Sequence, residues 1–266
     1  MKRKNILIRI ILIILIFKIS ILHAAESRES RTIHVFVALC DNENQGIVPV
    51  PPKLGNGEDP ENNLYWGARY GIKAFFQRSA KWRLLKIIKK PSDEIIARCI
   101  FKHSKQNVYM VADAYKGKKI KEAIIDFLES SSGKSKEKLS IRKKSEDIDI
   151  EVKGSSQLIV YVGHNGLMDF SLKKYPAKKD NKQRDAIILA CASKEYFCEP
   201  LKKTGAKPLL WTTGLMAPEA YTLENAIEGW ILKESDEAIR LRAAKAYNKY
   251  QRCGINSAKR LFKTGY

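Results

Sequence analysis

Two stretches decide the fold: LIVYVGHNG at 158–166 and AIILACAS at 186–193. Each is a short, unbroken run of β-branched and aliphatic residues that stops at a turn. Runs of that length without alternating polar residues are expected for strands buried on both faces, as in parallel sheets. The first ends in Gly163-His164-Asn165-Gly166 and the second at Cys191. Two chemically reactive side chains therefore follow two core strands directly.

Working outward, residues 33–40 (IHVFVALC) form another buried-strand pattern, and further strands are expected at 82–88, within 94–101 (as a strand, or a short helix followed by one), at 108–112 and at 209–212. Helical spacing places Ile120, Ile124, Ile125 and Leu128 on one face. Helices are also expected over 218–232, 235–251 and 256–262. Asp59 as an N-cap with Pro60 in the first helical position predicts a helix running to about residue 77. Strands alternating with helices imply an α/β fold, a three-layer α/β/α sandwich with a mostly parallel sheet. Residues 26–266 read as one domain. The Ser-, Lys- and Glu-rich stretch 130–149 reads as a mobile insertion and a natural site for proteolytic nicking.

Residues 1–25 differ from the rest. Lys2, Arg3 and Lys4 precede an apolar run at 6–22, followed by His23-Ala24-Ala25. That order describes a secretory signal peptide; the run is short for a membrane span and carries Arg9 and Lys18. The chain is read as exported, periplasmic or secreted, with no stable transmembrane segment after cleavage. The rival is an uncleaved anchor. The formal charge of +20 falls to +15 without these residues. Such a surface suits an anionic envelope or an acidic substrate; nucleic acid is disfavoured by the export signal. Of five cysteines, Cys40, Cys99, Cys191, Cys198 and Cys253, at least one must stay free, and with Cys191 set aside a Cys198–Cys253 disulfide is the favoured pairing. No Cys/His spacing suits zinc, and no cofactor is expected.

In open α/β sheets, sites form beyond the carboxyl ends of strands. His164 and Cys191 both sit there, and an imidazole beside a thiol can take its proton and stabilise the thiolate. Gly163 and Gly166 allow a sharp turn, and amides near Gly166 and Cys191 are candidate oxyanion donors. Asp41, Asn42, Asp113, Thr212 and Thr213 also follow expected strands and are candidate substrate-binding residues. Tyr115 and Gly214 share such positions. Asp169 is read first as a turn residue and second as a partner for His164. His34 and His103 are read as structural or exposed.

A hydrophobic block ending in His-Gly, followed by one ending in Ala-Cys, resembles the signature of the caspase, legumain and gingipain group of cysteine peptidases. The order, His before Cys, is the same. This chain carries Asn165 where that group has Gly directly after His, and its interval between the two is shorter. The resemblance implies a caspase-like sandwich, His164 as general base and acid, Cys191 as nucleophile, an oxyanion hole from the backbone beside both, no metal, and a peptide or protein substrate. The alternative is a non-catalytic periplasmic or envelope-associated binding protein on the same fold.

Overall fold

The computed structural model describes residues 30–143 and 146–266. The expected signal peptide lies outside them. Among the described residues no helix is long and apolar enough to cross a membrane.

Eight strands form one mixed sheet: β1 (Arg31–Ala38), β2 (Trp82–Lys89), β3 (Ile95–His103), β4 (Val108–Tyr115), β7 (Leu158–Val162), β8 (Asp185–Leu189), β9 (Lys207–Thr212) and β10 (Phe262–Lys263). Their order is β10-β9-β8-β7-β1-β4-β3-β2. The five central strands, β9-β8-β7-β1-β4, run parallel, while β3 and β10 are antiparallel to their neighbours. Every residue of β4 and β7 is buried, as their unbroken apolar sequences require.

Both faces are covered, which makes the molecule an α/β protein with the expected layers. On one face, α1 (Ile72–Arg78), α4 (Ala220–Ile231), α5 (Asp236–Gln251) and α6 (Ile255–Leu261) bury Phe76, Ile227, Tyr247 and Ala258 against Val35, Val37, Val160 and Ile187. On the other, α2 (Ile120–Ser132) and α3 (Ser193–Thr204) pack Phe127 and Phe197 against Phe36, Tyr161 and Ile188. Glycine at φ +78 (Gly133) ends α2 and at φ +74 (Gly205) ends α3, conformations in which a side chain is strained.

Three expectations are corrected here. Residues 59–71 form successive turns, not a helix, and only Ile72–Arg78 is helical. Asp59 does accept the Glu61 amide, but Gly67 lies so close to the Pro60 and Glu61 carbonyls that the chain is held in a tight turn there. Most described residues of the stretch 130–149 are in regular elements instead of an irregular insertion. The stretch completes α2 and then forms a hairpin of β5 (Lys136–Lys143) and β6 (Glu146–Lys153). Its Ile141, Ile150 and Val152 pack on Ile100, Tyr109 and Val111 of the sheet. Finally, all five cysteines are free. Cys198 belongs to the face covered by α2 and α3, whereas Cys253 follows α5 on the opposite face, so no bridge joins them.

Candidate functional site

The chain leaves β1 toward β4 and leaves β7 toward β8, so connections diverge between the adjacent strands β1 and β7. A crevice at such a divergence is where ligands bind in open α/β sheets. The register aligns Val37 with Val162 and Val162 with Leu189. His164 and Cys191 thus each stand two positions beyond paired residues on neighbouring parallel strands, at one edge of the sheet.

Gly163 makes the approach possible. Its φ is +146, and a Cβ there would lie 2.8 Å from the Ala38 carbonyl oxygen at the end of β1. The His164 ring is buried, and its Nε2 lies 2.7 Å from Asp169 Oδ2. Asp169 Oδ2 also accepts the amide of Gly46 at 3.0 Å, which pins the long loop after β1 to the histidine turn. The Tyr161 hydroxyl donates to the His164 carbonyl at 2.7 Å. A histidine whose Nε2–H is held by a carboxylate presents Nδ1 as its basic nitrogen; that tautomer follows from the hydrogen-bond network.

Cys191 is partly exposed. Its Sγ lies 3.4 Å from the Met216 amide nitrogen and 3.6 Å from the Met216 carbonyl oxygen. The Met216 N–H is directed at the sulfur, and α3 begins two residues after Cys191. The intervening Ala192 is left-handed (φ 46), uncommon for a non-glycine residue, and donates its amide to the Gly214 carbonyl at 2.9 Å. Asn165, fully buried, joins the two turns. Its Nδ2 donates to the Cys191 carbonyl at 2.7 Å, and its Oδ1 accepts the Leu167 amide at 3.2 Å. Among the described residues no hydrogen bond links the His164 ring to Cys191 Sγ.

The remaining candidates are placed differently from their sequence reading. The Gly163 amide donates to Leu189 and the Gly166 amide to His164, so neither faces a substrate oxyanion as expected. The amides of Cys191, already a candidate, and of Asn165, next to Gly166, have no protein acceptor among the described residues. Asp41 accepts the amides of Glu43 and Asn44, and Asn42 clamps Val50 through both ends of its amide, so both shape the loop internally. Thr212 lies within β9, wholly buried, bonded to Ser193 and the Ala190 carbonyl. Thr213 is exposed but donates toward Arg260 and Leu261 at the end of α6.

Asp113 is the clearest correction, because β4 extends through Tyr115 rather than stopping before it. Its carboxylate is fully buried, receives Arg98 Nε at 2.6 Å and Nη2 at 2.7 Å, and lies 3.0 Å from His34 Nε2. Burial alone pushes this carboxyl up; the Arg98 and His34 hydrogen bonds outweigh it and hold Asp113 below the usual carboxylate range. His34 Nδ1 accepts the Lys153 amide, and Arg98 Nη1 reaches Glu137, so the cluster fastens the β5–β6 hairpin to the sheet. His34 is structural, as read; His103 bonds Glu228 and is buried.

The sequence reading missed Asn165 as a brace and Met216 as the backbone that holds the sulfur. The first had a signal, since Asn in a glycine turn satisfies backbone groups through its side chain. The second had none, because a backbone contact leaves no mark on residue identity. Among the described residues no group of His, Cys, Asp and Glu converges as a metal set would. Comparison with family models, curated proteins and solved structures finds no match to this chain.

Proposed function

We propose that the chain is an exported cysteine hydrolase, a peptidase of the caspase, legumain and gingipain kind. The observation that carries this reading is the placement of His164, bonded to Asp169, and of Cys191 past the ends of adjacent in-register strands. In this reading His164 Nδ1 takes the thiol proton, and the sulfur attacks the substrate carbonyl carbon. The tetrahedral oxyanion is received by the Cys191 and Asn165 amides. The His164 proton then goes to the departing amine as the C–N bond breaks, leaving a thioester that water hydrolyses with His164 again as base. Asp169 orients the ring through its contact with Nε2. Peptide or protein is the substrate class, no cofactor takes part, and the basic head and apolar run at 1–25 support export.

A second reading is a non-catalytic binding protein on the same fold. It is favoured by the engagement of Cys191 Sγ with the Met216 backbone instead of with His164. Iodoacetamide labelling of Cys191 from pH 5 to 9, with His164→Ala alongside, separates the two. Fast labelling with an apparent pKa well below the free-thiol value of about 8.5, lost in the variant, supports the hydrolase. Slow labelling in both proteins refutes it.

A further inference from the structure

We infer that a groove between α2 and the segment 172–179 is a docking site for an extended acidic peptide carrying an apolar side chain. The cavity has a volume of about 470 Å³. Its floor is apolar, formed by Ile125, Leu128, Leu172 and Pro176. Its rim is cationic: Lys121, Lys173, Lys174 and Lys179 are exposed, and none has a carboxylate partner among the described residues. Lys134, also on the rim, is paired with Glu129. Four uncompensated ammonium groups around an apolar floor complement acidic residues flanking an apolar one.

The wall itself supplies the second argument. Residues 172–179 are in no regular element, yet they are fastened at both ends: Phe170 donates to Gly166 at 3.0 Å, Lys178 to Lys203 at 3.0 Å and Lys179 to Ser132 at 2.8 Å. Between these anchors the amides of Leu172, Lys173, Lys174, Tyr175 and Ala177 have no protein acceptor among the described residues. A fixed stretch with open main-chain donors beside an apolar trough is what strand-like peptide addition requires: main-chain bonds hold the peptide and the trough takes a side chain. Phe170, which follows the turn carrying His164 and Asp169, has its ring centroid 5.9 Å from Nζ of the rim residue Lys121. The groove does not depend on the chemistry at Cys191.

The test is fluorescence anisotropy with the labelled peptide Asp-Glu-Leu-Phe-Glu-Asp and the full chain, against Asp-Glu-Ser-Ser-Glu-Asp and Lys-Lys-Leu-Phe-Lys-Lys. Saturable binding of the first peptide is expected, weakened about tenfold by the Ser-Ser replacement and absent for the basic peptide. The pair Lys173→Gln and Lys174→Gln is expected to weaken it a further tenfold and to flatten the loss seen as salt rises from about 50 to 200 mM. Leu172→Ser, on the surface side of the floor, is expected to weaken it without that change in salt response. Binding is expected to be the same in Cys191→Ser, so loss of hydrolase activity leaves the docking result readable. Equal binding of the two acidic peptides, indifference to the lysine pair, loss of binding in Cys191→Ser, or capture only of anionic lipid vesicles would each overturn the assignment.

Discussion

Replacing Arg98 with methionine is expected to cost roughly 3–5 kcal/mol of folding free energy at pH 7, the range for breaking a buried ion pair by removing one partner. The figure follows from what is left behind. Asp113 is fully buried and loses the donors at 2.6 and 2.7 Å, keeping only His34. Each lost charge-assisted bond is worth about 1.5–3 kcal/mol. The Glu137 contact adds little, since that carboxylate is partly exposed. For a domain of this size the loss lowers Tm by roughly 6–20 °C. The pH dependence has a definite sign. In the native protein Asp113 is held below its unfolded pKa, so its contribution is full above the ordinary carboxylate range and is lost as pH falls through the lowered value. In the variant, burial is no longer offset and Asp113 prefers its proton, so the difference between the two proteins shrinks as pH falls from about 7 to 4. Urea unfolding at several pH values measures this, and Asp113→Asn combined with Arg98→Met should recover part of the loss. A difference below about 1 kcal/mol at pH 7, or one that does not change with pH, would refute the argument.

Asn165→Ala removes the tie between the two site turns and strands the Cys191 carbonyl and the Leu167 amide; a loss of roughly 2–4 kcal/mol is expected in urea unfolding, with altered Cys191 labelling. Gly163→Ala forces a side chain into φ +146 and against the Ala38 carbonyl, which should destabilise by roughly 1–3 kcal/mol, read as a lower Tm. Burial pushes the Cys40 thiol up to about 11 and the Cys99 thiol up to about 12. In native protein at pH 8, mass spectrometry after brief alkylation should therefore find adducts at Cys191 and Cys253 but not at Cys40 or Cys99, whereas urea should expose all of them.

The parallel centre of the sheet was legible because LIVYV and AIIL admit few other readings once a chain must bury both faces. The edge carrying His164 and Cys191 was legible for the same reason, since strand ends follow from strand runs. The hairpin at 136–153 was hidden by composition. Its lysines and glutamates dominate any count, while the alternation of Leu139, Ile141, Ile148 and Ile150 that seats it on the sheet is spread over two strands. Asp113 was misplaced by a strand boundary drawn short: a buried Asp looks like a strand terminator until Arg98 is seen opposite it in the next strand. Asp169 reached His164 across a turn whose geometry depends on Asn165, and composition alone does not specify that turn.

The position of β1 bears on how the chain is made. Its partners are β4 and β7, and the first pairing joins Arg31 to Val108. At ordinary rates of synthesis the most apolar strand near the start of the domain waits about 4–15 s before its first neighbour exists, and longer before its second. Throughout that interval both of its hydrogen-bonding edges are open, which is the condition for pairing with another nascent chain. A helper that covers residues 31–38 during synthesis should therefore raise the yield of folded protein more than one that acts after release. The strand has no room for polar substitutions that would make the wait harmless, because the same residues form the centre of the finished sheet.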